Sequence, residues 1–156
     1  MISVVMAVHN GSATLPLTLD ALAGVAIPSE GAELIVVDNA STDATPELLR
    51  AFNGHLPLTI LHEPKPGRSR ALNRGVRAAS GDLVVFTDDD VLPDWDWLLA
   101  YSQAKAAFPE IDIFAGQIRH YWQKQPPKWL ERLAAEGMSY GGTPVGRSSG
   151  PVEARE

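Results

Sequence analysis

Short apolar runs alternate along the chain with longer segments in which apolar residues recur three or four positions apart. The short runs occupy residues 2–8, 33–37, 58–61, 83–87 and 111–115. Runs of this length, rich in β-branched residues and bounded by glycine, proline or polar residues, are typical of buried strands. The alternation predicts the order β-α-β-α-β-α-β-α-β, and therefore an α/β fold with a mainly parallel sheet and helices on both faces.

The longer segments place their apolar residues on one face of each predicted helix. In the third of them, Leu72, Val76 and Ala79 form the predicted inner face. Gly75 is expected to be a small residue where that helix meets the sheet. The next helix is expected to begin at residues 93–95, where a proline suits the first turn.

The chain has 156 residues, of which 45% are hydrophobic and 21% are charged, as in an ordinary soluble globular domain. We expect residues 1–136 to form one domain that ends with a short helix within residues 125–136. Residues 137–156 are rich in glycine, serine, proline and charge. This composition predicts a polar, poorly ordered tail.

The net charge of −6, without a basic stripe, argues against a general role in binding nucleic acid. The absence of cysteine excludes disulfides and thiolate metal sites. The first apolar run is too short for a membrane span and has no basic segment before it, so it does not predict a signal peptide. A cytoplasmic location is therefore expected.

Polar residues directly follow three of the predicted strands. They are His9 and Asn10, Asp38 and Asn39, and the triplet Asp88, Asp89 and Asp90. In an open parallel sheet, ligands bind beyond the carboxyl ends of the strands. The sequence therefore predicts one site that brings these polar residues together.

The aspartate triplet is unfavourable unless a positive charge lies close to it. Mutual repulsion and desolvation both raise the pKa of such carboxyl groups. A divalent cation with oxygen ligands would relieve the repulsion and could also hold phosphates. The alternative is a solvated acidic loop, or aspartates that cap the following helix.

Basic residues cluster once in this acidic chain, between the third run and the fourth. The cluster consists of Lys65, Arg68, Arg70, Arg74 and Arg77. An isolated basic cluster in an acidic protein predicts a local anion site. The alternative for each residue alone is a solvated surface charge.

Four segments resemble family 2 glycosyltransferases in their order and spacing. They are residues 3–10 (SVVMAVHN), 34–43 (LIVVDNASTD), 67–75 (GRSRALNRG) and 81–93 (GDLVVFTDDDVLP). The resemblance covers roughly residues 1–135. It implies a Rossmann-like, three-layer α/β/α fold of the GT-A type. It also implies transfer of a sugar from a nucleotide-diphospho-sugar donor to an acceptor hydroxyl.

The resemblance also implies roles for the residues at the strand ends. Asp38 matches the carboxylate that accepts a hydrogen bond from the nucleotide base. His9 lies where the family often has a tyrosine that packs on the base, although a histidine there can equally be a local hydrogen-bonding residue. Asp88 and Asp90 match the outer carboxylates of the Asp-X-Asp motif, which contact the ribose and the diphosphate-bound Mn²⁺ or Mg²⁺, and Asp89 fills the middle position.

The basic cluster gains a role from the same resemblance. Lys65, Arg68 and Arg70 lie where the family places contacts to the nucleotide. This chain departs from the family pattern at Leu72, where an arginine is usual. Any contribution of that arginine is therefore missing, or Arg70 or Arg74 supplies it.

For the reaction, the resemblance implies metal-dependent transfer with inversion. The metal would act as a Lewis acid on the leaving diphosphate, and a carboxylate would take the proton of the acceptor hydroxyl. In the family that carboxylate lies well beyond the Asp-X-Asp strand, and nothing in the spacing singles out Glu131, Glu136 or Glu153 for the role. We therefore expect the general base to be absent from a C-terminally truncated chain, or supplied by another chain.

Two alternatives stay open. One is a module that binds the nucleotide sugar but catalyses no transfer, because it lacks the general base. The other is a phospho-accepting or phosphohydrolase domain, but no later strand end offers the lysine that such domains carry. The implied acceptor is a glycan, a lipid-linked glycan or a small molecule, and a lipid-linked acceptor is compatible with peripheral association with a membrane.

Overall fold

The computed structural model of the protein describes residues 1–52 and 54–136. Strands and helices alternate through most of this part of the chain. In order they are β1 (Ile2–Val8), α1 (Leu15–Ala23), β2 (Ala32–Asp38), α2 (Thr45–Ala51), β3 (Leu58–His62), α3 (Arg68–Ala78), β4 (Leu83–Thr87), α4 (Trp97–Ala107) and α5 (Lys128–Ala135).

The sheet has the strand order β3-β2-β1-β4, and every neighbouring pair is parallel. The two central strands, β1 and β2, are buried along nearly their whole length, as continuous apolar runs require. Val8 of β1 lies beside Asp38 of β2, and Asp38 lies beside His62 of β3. The carboxyl ends of these strands therefore meet at one edge, as the sequence predicts.

Helices cover both faces of the sheet. The larger core lies on the face of α1 and α4, where residues such as Met6, Leu22 and Leu98 are fully buried. The smaller core lies under α3 and contains Val5 and Ile35. The predicted three-layer α/β/α architecture is confirmed in this part of the chain.

The inner face of α3 agrees with the prediction in part, because Leu72 and Ala79 pack against the smaller core but Val76 does not. Its buried residues are Ala71 and Gly75, whereas Val76 is 40% exposed. A Cβ atom at Gly75 would lie only 2.5 Å from Cγ1 of Val5, so this helix packs very close to the sheet. Small residues permit that approach, and periodicity alone wrongly favoured the larger side chain of Val76.

Replacement of Gly75 should therefore destabilise the fold. In Gly75→Ala, the new methyl group would push α3 away from Val5, and such overpacking costs about 1–3 kcal/mol. Urea unfolding should show this loss. The matched control is Gly24→Ala at the end of α1, where the nearest atom is 3.6 Å from the new Cβ and φ is −96°. Equal stability of the two variants would contradict the close packing of α3.

The chain divides into two compact units, Met1–Asp112 and Ile113–Glu156. The first unit holds the sheet and helices α1 to α4. In the second unit the described residues include α5, which confirms the short helix predicted within residues 125–136.

Two expectations about this region have different outcomes. The fifth strand expected at residues 111–115 is wrong: these residues pair with no strand of the described chain, and Ile113 is 85% exposed. A short apolar run becomes a strand only where a neighbouring strand pairs with it. The polar tail, and with it the predicted domain boundary after residue 136, lies outside the described residues.

The start of α4 differs slightly from the prediction, because the helix begins at Trp97, after the expected residues 93–95.

Among the described helices, none is both long and apolar enough to cross a membrane.

Candidate functional site

The two central strands end in sharp turns. Asn10 follows β1 by two residues and has φ of 52°, and Ala40 follows β2 by two residues and has φ of 57°. Asparagine tolerates this left-handed conformation, but for alanine it is uncommon and costs free energy. Such strained residues often occur at ligand sites, where the surrounding structure holds them in place.

His9 lies at the end of β1 in a defined tautomer. The side-chain oxygen of Asn10 accepts the N–H of Thr42 at 2.8 Å, so the Asn10 amide nitrogen faces Nε2 of His9 at 3.3 Å. Nε2 therefore accepts a hydrogen bond, while Nδ1 donates to the carbonyl of Asn39 at 2.6 Å. The local hydrogen-bonding role is thus present, and the exposed ring remains accessible for packing on a base.

Asp38 ends β2 and is buried, and its carboxylate has two partners. Oδ1 accepts the N–H of Ser41 at 3.1 Å, which closes the turn after the strand. Oδ2 accepts a hydrogen bond from Nδ1 of His62 at 3.2 Å. Each oxygen of a carboxylate can accept two hydrogen bonds, so both retain capacity for a ligand.

An open pocket of about 320 Å³ lies beside Asp38. Its walls come from the ends of β2 and β3 and from α2. The lining residues are Asp38, Ser41, Pro46, Arg50, Ile60, Leu61 and His62. Asp38 is therefore the buried acidic group of a pocket that is otherwise apolar, hydroxylic and basic.

Asn39 fastens the loop that carries part of the basic cluster. Its side-chain amide donates to the carbonyls of Glu63 at 3.1 Å and Lys65 at 2.9 Å, and its side-chain oxygen accepts the N–H of Gly67 at 2.8 Å. Asn39 is itself buried. The sequence placed this residue at the site but gave no sign of this role, because its partners are backbone groups distant in the chain.

The loop between β1 and α1 is held by side chains from the loop before α2. Asp43 accepts the N–H groups of Ser12 and Thr45 at 3.0 Å each, and the Thr45 hydroxyl accepts the N–H of Gly11 at 2.9 Å. The hydrogen bonds from Ser12 and Thr45 hold the pKa of the Asp43 carboxyl well below its usual range. Asp43 therefore supports the backbone of both loops.

The aspartate triplet after β4 separates into three different environments. Asp88 forms a salt bridge with Arg68 at the start of α3, and Asp90 is exposed. Asp89 is partly buried against Gly11, where a Cβ atom would lie 2.3 Å from its Oδ2. Burial raises the pKa of the Asp89 carboxyl, and the charges of Asp90 and Asp88 raise it further.

The residues of the basic cluster also differ in whether they form ion pairs. Arg68 neutralises Asp88, and Arg74 lies 3.7 Å from the carboxylate of Glu63. Lys65 and Arg70 are exposed and form no ion pair with any residue in the described ranges. Leu72 packs against the smaller core instead of projecting a charge. Arg77, in the last turn of α3, is likewise exposed and without an ion pair among the described residues, so Lys65 and Arg70 are the unpaired charges near the start of α3.

A divalent cation fits the chemistry of Asp88 and Asp90, because hard cations prefer carboxylate oxygens. Within residues 1–52 and 54–136, no three acidic or histidine side chains converge as a complete metal site. Mg²⁺ is commonly held by one or two carboxylates together with substrate phosphates. The arrangement therefore suits a cation that arrives with a phosphate ligand.

A parallel sheet covered on both faces, with polar side chains gathered at the carboxyl edge of its strands, defines a Rossmann-like α/β protein with a ligand site at that edge. The chain belongs to glycosyl transferase family 2, since the sequence model of that family matches residues 3–151. The resemblance of the four segments is confirmed by this match, and the GT-A type of fold is confirmed by solved structures.

Three relatives illustrate the match. Validoxylamine A glucosyltransferase of Streptomyces hygroscopicus subsp. jinggangensis is 29% identical over 87% of this chain and 33% of that protein. Mannosyltransferase PcManGT of Pyrobaculum calidifontis, in complex with GDP-Man and Mn²⁺, is 34% identical, with a TM-score of 0.63 over 67% of this chain and 32% of that one. TarS of S. aureus in complex with UDP-GlcNAc is 23% identical, with a TM-score of 0.69 over 81% of this chain and 37% of that one, and shows the fold alone.

The chain spans about a third of the length of curated relatives such as these. This chain therefore corresponds to one part of those longer proteins, and that part includes the sheet and its carboxyl edge. The roles of the individual site residues stay predictions.

Proposed function

We propose that this chain binds a nucleotide-diphospho-sugar and holds it for transfer of the sugar to an acceptor hydroxyl. The observation that carries the proposal is the gathering of Asp38, Arg68 and Asp88 at the carboxyl edge of a family 2 sheet. The similar mannosyltransferase bound to GDP-Man and Mn²⁺ supports a donor and a metal of this class.

The proposed division of roles follows the strand ends. Asp38 at the end of β2 accepts a hydrogen bond from the base, and the exposed ring of His9 packs on the base. Lys65, Arg68 and Arg70 attract the diphosphate through their positive charges. These charges favour bound anions in an otherwise acidic protein.

Asp88 and Asp90 are the proposed metal ligands, with Mn²⁺ or Mg²⁺ as the ion. A metal bound there would neutralise the charge that develops on the leaving diphosphate. Arg68 also forms a salt bridge with Asp88, so it lies next to the proposed metal ligands. Asp89 supports the turn after β1, because its carboxylate lies against Gly11.

Transfer with inversion is the reaction that we propose for the complete active site. The residues named here bind and orient the donor, and orientation of the sugar for in-line attack is itself a large part of catalysis. A carboxylate that takes the proton of the acceptor would complete the reaction.

Calorimetric titration with UDP-, GDP- and dTDP-sugars, with and without Mn²⁺, tests the proposal. At least one of these donors should bind, and its affinity should rise when Mn²⁺ is present. A chain that binds none of the three would contradict the proposed function. Binding without transfer to any acceptor would favour the alternative, a donor-binding module.

A further inference from the structure

His62 and Asp38 are hydrogen-bonded to each other at the ends of β3 and β2. They are direct partners in the parallel register, and residues opposite one another on neighbouring strands project from the same face of a sheet. Nδ1 of His62 lies 3.2 Å from Oδ2 of Asp38. A carboxylate only accepts hydrogen bonds, so Nδ1 carries the proton and is the donor. The edge strand β3 thus contributes a donor to the carboxylate that the proposed function assigns to the nucleotide base.

Backbone contacts hold the two residues in this arrangement. The N–H of Glu63 donates to the carbonyl of Asp38 at 2.8 Å, so β2 and β3 stay paired up to their ends. The side-chain amide of Asn39, the residue after Asp38, donates to the carbonyl of Glu63 at 3.1 Å. His62 directly precedes Glu63, so its ring reaches Asp38 from a backbone position that is fixed on both strands.

The carboxylate of Asp38 is held through both of its oxygens. Oδ1 accepts the N–H of Ser41 at 3.1 Å, and Oδ2 accepts the hydrogen bond from His62. Among the described residues, His62 is the only one whose side chain donates to this carboxylate. The side chain of Asp38 is only 8% exposed, and both residues line the pocket of about 320 Å³. A ligand would therefore meet the carboxylate in that pocket.

The two hydrogen bonds matter because the carboxylate would otherwise rotate. The terminal torsion of an aspartate is intrinsically broad, whereas a hydrogen bond weakens steeply as its angle departs from linearity. Donors on both oxygens fix the plane of the Asp38 carboxylate, and each oxygen keeps a lone pair for a ligand. A group that is already fixed loses little freedom when the ligand binds, and this preorganisation favours binding.

We infer that His62 is a positioning residue, which holds the carboxylate of Asp38 in the orientation that accepts a hydrogen bond from the nucleotide base. The inference rests on the proposed function, because it assumes that Asp38 contacts the base. His62 acts on the base through Asp38 and needs no contact of its own with the ligand. The group that matters is the Nδ1 donor of the ring.

Two variants of equal size separate this donor from the rest of the ring. In His62→Asn, the side-chain amide nitrogen is attached to Cγ, as Nδ1 is in histidine, so it can still donate to Asp38. His62→Leu has the same number of side-chain heavy atoms but no donor. Circular dichroism should show an intact fold in both variants, because the side chain of His62 is 61% exposed. If His62→Leu does not fold, His62→Val replaces it, since a β-branched side chain suits a strand.

Titration of the full chain and its variants with UDP, GDP and dTDP, each with Mn²⁺, measures the effect. The buffer should be mildly alkaline, so that ordinary imidazoles are neutral and no positive charge is lost with the ring. We expect His62→Leu to bind nucleoside diphosphate at least about tenfold more weakly than the parent chain, because a hydrogen bond to a charged group contributes roughly this factor. His62→Asn should keep most of the parent affinity.

Two controls separate an effect on the base from a general effect on the site. Pyrophosphate with Mn²⁺ carries the phosphates without a base, so it should bind His62→Leu as tightly as it binds the parent chain. His55→Leu replaces an exposed histidine that does not line the pocket, and it should leave the affinity for every ligand unchanged.

Three results would overturn the inference and leave the proposed function intact. They are full nucleotide affinity in His62→Leu, a loss in His62→Asn as large as that in His62→Leu, and a loss of pyrophosphate affinity equal to the loss of nucleotide affinity. A parent chain that binds none of the three nucleotides would overturn both the inference and the proposed function.

Discussion

Asp90→Ala should remove most of the Mn²⁺ dependence of nucleoside diphosphate binding. The described residues contain no complete metal site, so the proposed ion would depend on the few carboxylates after β4 and on the phosphates of the ligand. Loss of one of two protein ligands should weaken metal-assisted binding by at least about tenfold, since even outer-sphere substitutions cost about 10–100-fold in metal affinity. Calorimetric titration of the nucleotide with and without Mn²⁺ measures the effect.

The control for this prediction is Asp20→Ala on the exposed face of α1. It removes the same charge from the protein, so it separates metal ligation from the general electrostatic effect of a lost carboxylate. Affinity in the Asp20 variant should equal that of the parent chain with and without the metal. If the Asp90 variant also kept its full response to Mn²⁺, the metal assignment would be wrong.

Asn39→Ala should have the largest effect on stability among the site variants. Its amide makes three hydrogen bonds with backbone groups of the loop at residues 63–67. Each partly buried backbone group left without a partner costs about 1–3 kcal/mol, and partial access to water reduces the sum. We expect urea unfolding to show a loss of about 2–4 kcal/mol.

The same substitution should weaken nucleoside diphosphate binding, because Asn39 holds the loop that carries Lys65 and leads into Arg68. Asn73→Ala, on the exposed face of α3, is the matched control and should alter neither property. If Asn39→Ala behaved like Asn73→Ala, the loop would be held by other contacts and Asn39 would not be its anchor.

The sequence predicts the strands at the carboxyl edge well, because their signal is local. Continuous β-branched runs mark β1 and β2, and polar residues follow them directly, so the meeting of His9 and Asp38 at one edge follows from parallel topology alone. The same local signal fails at residues 111–115, where the run is apolar enough for a strand but has no strand partner in the described chain.

Contacts between distant segments are what the sequence does not show. The three aspartates after β4 form one acidic motif in the sequence, but in the fold Asp88 pairs with Arg68 while Asp89 lies against Gly11. The pairing of His62 with Asp38 depends on the register of β2 and β3, which neither strand encodes by itself. Hydrophobic periodicity cannot reveal either arrangement.

We propose that a nucleoside diphosphate binds at the carboxyl edge of the sheet, and nuclear magnetic resonance can locate the bound nucleotide directly. A chain of 16.8 kDa is suited to a titration of assigned backbone amide signals with GDP and Mg²⁺. We expect the largest shifts to cluster after β1, β2, β3 and β4, at residues 9–12, 38–41, 62–70 and 88–90. Shifts confined to the opposite edge of the sheet, or no shifts with any nucleoside diphosphate, would contradict it.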